Sequence, residues 1–276
     1  MDRADWRWIV VALIFSALSY PAAAISLAGS IPDPIPFGPN VVAQVASSFV
    51  GIVAPAQLGG VALKGRLLQR NGVDPAVAVA GVGLNTVTAF VVHVVMLVTF
   101  VWWAGTSDLS RVRLPAASTV AMVLGVAVLL VAVLAALPAG RRLWSTRVRP
   151  AIGRAARGMV DVARSPLRLL QLVGGSAMVT VSYAAALAAS VEAFHGNLPV
   201  APVAIVYLLG SVVQSVVPTP GGLGAAEAAY IGGLTAIGLT SERAVAAVLL
   251  FRLVTFWLPV LPGWLAMTWL QRADAV

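Results

Sequence analysis

The chain of 276 residues is 60% apolar and only 10% charged, with a mean hydropathy of +0.94, which leaves too little charge for a water-soluble globular domain of its length. It has no cysteine and two histidines, His93 and His195, far apart in sequence, so disulfides and thiolate metal sites are excluded and a catalytic metal centre is not expected. Most of the formal net charge of +8 falls in the run 139–168, with eight arginines (141, 142, 147, 149, 154, 157, 164 and 168) against Asp161; between apolar flanks this reads as a positive-inside cytoplasmic loop, not a nucleic-acid surface.

Apolar segments follow in chain order, with about 20 residues needed for one crossing. The first covers 6–27, with Trp6, Trp8 and Tyr20 suited to membrane interfaces. The second, 41–56, is short and runs into Pro55-Ala56-Gln57-Leu58-Gly59-Gly60. Segments 76–104 and 115–137 precede the basic loop, and 169–194, the short 202–217, the glycine-rich 223–239 and finally 244–270 follow it. Within the loop, Arg154, Arg157, Asp161, Arg164 and Arg168 share one helical face and Ile152, Met159, Ala163 and Leu167 the other. An interfacial helix and a solvated connector interrupted at Pro166 both fit that pattern. The expectation is one all-α polytopic membrane domain, 1–276, with about six spanning helices plus Pro/Gly-broken re-entrant hairpins.

Between 202–217 and 223–239 stands Pro218-Thr219-Pro220-Gly221-Gly222-Leu223-Gly224-Ala225-Ala226-Glu227. Two prolines and three glycines remove helical hydrogen bonds and loosen the backbone. Non-helical backbone at membrane depth persists only where protein buries it or it lines a wet cavity, and a carboxylate there reads as functional. The chain is therefore expected to hold a polar site within the membrane.

The two breaks resemble each other. Ser48-Phe49-Val50-Gly51-Ile52-Val53-Ala54-Pro55 aligns with Ser211-Val212-Val213-Gln214-Ser215-Val216-Val217-Pro218, and Leu58-Gly59-Gly60 with Leu223-Gly224-Ala225. Gly72-Val73-Asp74-Pro75 then matches Gly238-Leu239-Thr240-Ser241, and a long apolar segment follows each. This order suggests repeat halves of about 41–104 and 202–270, inverted as in many transporters. Inversion requires both hairpins to re-enter from opposite sides, with Met1 outside; alternatively 41–63 crosses as a kinked helix with Met1 inside.

Pro218 to Gly224 followed by Glu227, with Arg252 in the next helix, resembles the membrane domain of the lysylphosphatidylglycerol synthase/flippase family. Pro55 to Gly60 followed by basic residues resembles that family's first-repeat motif, and the likeness runs over roughly residues 6–270. It implies a multi-pass protein of the bacterial cytoplasmic (inner) membrane. The best-understood members move aminoacylated phosphatidylglycerol between leaflets, and others are linked to polyprenyl or glycolipid pathways. Synthase members continue into a soluble aminoacyl-transferase domain, whereas this sequence stops at Val276; the expectation is a flippase-like membrane part, not an enzyme, with no cofactor. Many relatives have an acid just after the first Leu-Gly pair, where Gly60 stands here, and the family usually has one more helix before Trp6.

The candidate substrate-binding residues are Glu227, Arg252, Gly221, Gly222, Gly224, Pro218 and Pro220 at the second break, and Gln57, Gly59, Gly60, Lys64 and Arg66 at the first. Glu227 is read either as a headgroup or proton ligand, or counter-ion to Arg252, or as a plain helix cap; the dipole contribution of about 0.3–1 kcal/mol is too small to offset a mid-membrane charge. Arg252 has three readings: a grip on lipid phosphate, neutralisation of Glu227, or snorkelling to the interface. Lys64 and Arg66 suit an inward mouth for anionic headgroups or an ordinary basic flank. His93 reads as a satisfied packing residue, Glu192 as facing water or headgroups, and Gln44, Gln57 and Gln214 as partners for freed backbone groups.

The leading expectation is translocation of a charged-headgroup lipid: an anionic or amino-modified phospholipid, or a polyprenyl-linked lipid. The alternatives are an ion-coupled small-solute transporter and a non-transporting scaffold for a separate lipid-modifying enzyme.

Overall fold

The structure, a computed structural model, describes residues 4–53, 58–109, 159–217 and 219–273. These form α1 (Trp6–Gly29), α2 (Phe37–Val53), α3 (Leu58–Arg70), α4 (Pro75–Leu109), α5 (Pro166–Glu192), α6 (Val200–Val216), α7 (Ala225–Ala236), α8 (Ser241–Arg252) and α9 (Val260–Arg272), with no strand among the described residues. A 3₁₀ turn, Pro220–Gly222, precedes α7, and a π turn, Leu253–Trp257, joins α8 to α9. By length and composition α1, the stretch Pro75–Ala104 of α4, α5 and the joined Ser241–Arg272 are long and apolar enough to cross a membrane. The predicted segment 115–137, the basic run up to residue 158, Gln57 and Pro218 lie outside the described residues.

Starts and stops follow from local chemistry. Asp5 caps α1 by accepting from Arg7 N at 2.9 Å, and Asp74 caps α4 by accepting from Ala76 N at 2.8 Å. Pro166 occupies the first turn of α5 behind its N-cap Ser165, where its missing N–H costs nothing. This break separates the helical residues 159–164 from Arg168, so the five charges aligned by sequence do not share one helix. Arg168 instead bonds the carbonyls of Ile31 and Pro32.

α1 and α5 lie closely along one another and run antiparallel. At one end Asp5 N donates to Ala193 O at 2.9 Å; at the other Arg168 meets the residues just past α1. Between them, Ser26 Oγ bonds Ser176 Oγ at 2.8 Å and Leu172 O at 3.1 Å. Small residues permit the approach: a Cβ on Gly175 would lie 2.5 Å from Ser26 N, and one on Gly29 2.4 Å from Leu172 N. Tight backbone contact through small and hydroxyl residues is how helices associate in lipid, where burial of apolar surface supplies no drive.

This pair defines two ends of the bundle. α4 starts at the end carrying Arg168, with Ala78 and Val82 packed on Leu27 and Ile31. α8 starts at the opposite end, where Arg243 Nη1 donates to His195 O at 3.1 Å. The joined α8 and α9 finish at the basic end, with Leu270 packed among Ala43, Ala46, Leu63 and Leu67.

Both short-helix pairs return to the end they left. α3 comes back beside α2 to place Leu68 with Leu27, Ile31 and Val73, so 41–63 re-enters from the basic end and does not cross. α7 comes back beside α6 and leads to Leu239, which sits at Gly196, so the second hairpin re-enters from the opposite end. The same turn closes both: Val73 N donates to Leu68 O and Leu239 N to Leu234 O, at 3.1 and 3.0 Å, with Gly72 at φ 83° and Gly238 at φ 109°. A left-handed residue is what this helix-ending turn requires. α2 rests against α9, and α6 against α4.

The long helices expose large apolar side chains, and polar side chains are buried among the apolar ones inside. Val87, Phe90, Val98 and Trp102 of α4 and Leu261 and Trp264 of α9 are exposed. Ser16, Ser19, Ser26, Asn40, Gln44, Ser176, Thr180, Ser182 and Arg252 are buried, and no buried side-chain polar atom lacks a partner among the described residues.

Candidate functional site

The second break is organised around a single ion pair. Arg252 Nε donates to Glu227 Oε1 at 2.6 Å, and Arg252 Nη2 donates to Gly221 O at 2.9 Å. The other carboxylate oxygen, Oε2, accepts from Gly224 N at 2.6 Å. Glu227 therefore caps α7 and neutralises Arg252 at once, uniting two of its sequence readings. Arg252 is 3% exposed and does not snorkel, whereas Glu227 keeps 20% of its side chain accessible. The Arg252 guanidinium also lies 4.4 Å from the centroid of the Phe256 ring, an attraction strengthened by the dry surroundings.

Glycine is required where this loop turns. Gly221, Gly222 and Gly224 have φ of 61°, 67° and 86°, a left-handed region that residues with a Cβ avoid. A Cβ on Gly221 would also lie 2.1 Å from Phe256 Cε2, and one on Gly222 2.7 Å from Gln214 Cγ. Pro220 opens the 3₁₀ turn, and α2 of the first hairpin lies against that turn, so the two hairpins meet at the second break.

Around the pair stands an aromatic wall that sequence reading missed. Tyr183 of α5, Tyr207 of α6 and Tyr230 of α7 stack in series at 6.1 and 6.5 Å between centroids, and Phe251 meets Tyr230 edge-on at 5.4 Å. Tyr230 OH donates to Gln214 Oε1 at 3.2 Å. Among the described residues Gln214 thus serves a side chain, and Gln44 likewise donates to Asn40 Oδ1 at 3.1 Å. The helical signal available was Ser19-Tyr20-Pro21-Ala22-Ala23-Ala24 against Ser182-Tyr183-Ala184-Ala185-Ala186, which places a Ser-Tyr step in both antiparallel long helices.

The π turn has a legible cause. Pro259 and Pro262 supply no N–H to the preceding turn, and Leu258 N reaches back five residues to Leu253 O at 2.8 Å. π turns of this kind gather at functional sites, and this one begins immediately after Arg252.

The first-break candidates are not drawn into this cluster. Gly59 and Gly60 open α3, and Gly60 faces Ser47 at ordinary contact distance, 3.5 Å from a built Cβ. Lys64 is half-buried and Arg66 exposed on α3, and neither bonds to Glu227 or Arg252. His93 Nε2 bonds Leu208 O at 3.0 Å and lies 3.3 Å from Ser211 Oγ, tying α4 to α6 as a packing residue does. Glu192 is half-buried, the sole charged residue on the wall of a shallow apolar cleft lined also by Trp8, Phe15 and Leu198. No group of three or more His, Cys, Asp or Glu with metal-binding proximity exists among the described residues.

The sequence profile described as lysylphosphatidylglycerol synthase TM region matches residues 1–263. The chain belongs to that family. The matched range takes in both hairpins and the Glu227–Arg252 pair. No curated protein matches the chain.

Proposed function

We propose that this chain is a flippase-like translocator of the bacterial cytoplasmic membrane, built as two inverted halves, that moves a lipid with a charged headgroup between leaflets. The headgroup passes between the two broken hairpins while the acyl chains stay in the bilayer. The observation that carries this reading is the meeting of the hairpins: they enter from opposite ends, and the Pro220–Gly222 turn touches α2 beside the Glu227–Arg252 pair. Broken helices converging on a charged site are the usual substrate locus in proteins of inverted repeats. The accessible part of Glu227 is the face offered to a headgroup, and the glycines admit close backbone approach.

The orientation follows from charge. The end with Arg70, Arg164, Arg168 and Arg272 is cytoplasmic by the positive-inside rule, and the N-terminus then lies on the other side together with His195. A solute carrier and a membrane scaffold are the competing functions.

The deciding experiment is leaflet-resolved lipid movement in liposomes holding the purified chain, with Glu227→Gln and Arg252→Ala alongside. Movement of a charged phospholipid that is lost in both variants is the expected result. Absence of movement for every phospholipid tried, with folded protein, would overturn the lipid reading in favour of the other two.

A further inference from the structure

The turn that ends each hairpin sets the register between the two halves. Val73 N donates to Leu68 O and Leu239 N to Leu234 O, so Leu68 and Leu234 are equivalent. Packing agrees: Leu68 lies with Ala78 and Val82, and Leu234 with Ala244 and Val248. Counting back from the turn places Lys64 at Tyr230 and Gly60 at Ala226, one residue off the register that aligns Leu58-Gly59 with Leu223-Gly224. Counting on from it places Asn85 at Phe251. The Ser48–Ser211 alignment also pairs Pro36 with Pro199 and Pro39 with Pro202, and it puts Gln44 at Tyr207 and Gly51 at Gln214.

The aromatic wall of the second half is thus replaced by polar groups in the first. Tyr230, Tyr207 and Phe251 are answered by an ammonium and two carboxamides. At the place of Gln214, a Cβ on Gly51 would meet no described atom within 4 Å.

Lys64 also stands on the inward face of α3. Gly60, Lys64, Leu67 and Leu68 follow the spacing of one helical stripe. A Cβ on Gly60 would lie 3.5 Å from Ser47 of α2, Leu67 packs with Ala43 and Leu270, and Leu68 with Leu27 and Ile31. Arg66 is exposed on the other side of the helix. The Cα–Cβ bond of Lys64 leans towards the start of α3, away from the basic end. Lys64 is half-buried, and among the described residues nothing forms a hydrogen bond or ion pair with it. A lone ammonium on the inward face of a re-entrant helix is costly until a counter-charge arrives.

We propose that Lys64, flanked by the carboxamides of Gln44 and Asn85, forms an anion site for a phosphate group, the phosphodiester of a phospholipid entering from the basic end. The ammonium is a compact point charge suited to phosphate, and a phosphodiester brings the one negative charge that this lysine lacks. Gln44 Nε2 donates to Asn40 Oδ1 at 3.1 Å and Asn85 Nδ2 to Ser26 Oγ at 2.6 Å. A carboxamide nitrogen carries two hydrogens, so each has a second to offer a phosphate oxygen. The inference rests on the lipid-translocation reading and gives the headgroup's phosphate a station of its own, separate from the Glu227–Arg252 pair. Binding there is measurable without any movement between leaflets.

The test is titration of the purified chain in lipid-free detergent with phosphatidylglycerol, followed by native mass spectrometry, with dioleoylglycerol as the phosphate-free comparison. Lys64→Gln should weaken phosphatidylglycerol binding by about tenfold or more and leave dioleoylglycerol binding as in the parent. Arg272→Gln removes a positive charge at the same end and should change the affinity by less than about twofold. Equal losses in the two variants would mean bulk charge alone, and no loss in Lys64→Gln would mean a lysine that snorkels to water; either would overturn the proposal. Glycerol phosphate at millimolar concentration separates the sources of the anion. Displacement of phosphatidylglycerol from the parent chain would show that the phosphate group suffices, and no displacement that the site takes phosphate only on a lipid.

Melting of the lipid-free protein supplies a second readout, which a merely structural lysine would move the other way. Lys64→Met should raise the midpoint, because it removes an unpaired inward charge, and should abolish the rise that phosphatidylglycerol gives the parent. A lowered midpoint would show that Lys64 is already satisfied, and the proposal would fall. Phosphatidylglycerol binding that depends on Lys64 while no lipid moves would remove the transport reading alone. Lipid movement with binding indifferent to Lys64 would remove this inference alone.

Discussion

Ser16 of α1 donates its hydroxyl hydrogen to the carbonyl of Val254, 2.8 Å away inside the π turn. That carbonyl is the acceptor Leu258 N would use in a regular α-helix, but Leu258 N goes to Leu253 O. A side chain from the other half of the chain thus completes the backbone bonding of a bulge. Ser16→Ala strands a buried acceptor, at a cost of about 1–3 kcal/mol. The thermal midpoint in detergent should fall, and Ser16→Thr should restore much of it. An unchanged midpoint for Ser16→Ala would mean that the π turn tolerates a bare carbonyl.

Arg252→Met leaves Glu227 without its counter-charge and should be strongly destabilising, by about 3–5 kcal/mol for a broken buried pair. Arg252→Lys keeps the charge but cannot reproduce the two-directional reach to Glu227 Oε1 and Gly221 O, so its loss should be intermediate. Removing both charges in Glu227→Gln/Arg252→Met should cost less than the sum of the single changes, as coupled neighbours do. Additive losses in the unfolding midpoints would show that the pair contributes no coupling.

Gly221→Ala combines backbone strain at φ 61° with collision against Phe256. Left-handed backbone with a Cβ costs roughly 1–2 kcal/mol, and the collision adds to it. Phe256→Ala placed on top should recover the collision part and leave the strain. Full recovery would assign the glycine to space alone.

Gly175→Val should separate α1 from α5, because its Cβ would lie 2.5 Å from Ser26 N, whereas Gly174→Val next to it meets open space. The expected result is loss of folded protein on size exclusion for the first and near-parent behaviour for the second. Equal behaviour would contradict the close crossing.

Topology gives a further check on oriented vesicles. Asp5→Cys and Asn197→Cys should react with a membrane-impermeant maleimide from the same side, because Asp5 N and Ala193 O are bonded at 2.9 Å. Asn71→Cys should react only from the other side. Labelling of positions 5 and 71 from one side would refute the antiparallel arrangement of α1 and α4.

Much of this architecture was legible in the sequence because proline, glycine and charge punctuate an otherwise apolar chain. Pro75 and the Gly238-Leu239-Thr240-Ser241 turn mark helix starts to within a residue or two. The motif 218–227 marks Glu227, and its pairing with Arg252 is one of the several readings the sequence allows each residue; the 2.6 Å ion pair is the structure's choice among them. What sequence left open was whether 41–63 crosses, since length alone fits a kinked span; packing of Leu68 beside Ile31 decides it. The Ser-Tyr steps at 19–20 and 182–183 were hidden by the alanines around them, whose sameness makes alignment ambiguous. The π turn was invisible because its cause, two prolines, equally suits a kink.

The antiparallel seating of α1 on α5 has a consequence for biogenesis. Ser26 finds Ser176 only 150 residues later in the chain, and Ser16 finds Val254 only 238 residues later. During synthesis α1 must therefore wait in the bilayer with its hydroxyls turned back on its own carbonyls, as Ser19 does with Ser16 O at 2.7 Å. Assembly joins helices made far apart in synthesis, and a chain interrupted before residue 250 would leave the membrane holding helices without their partners.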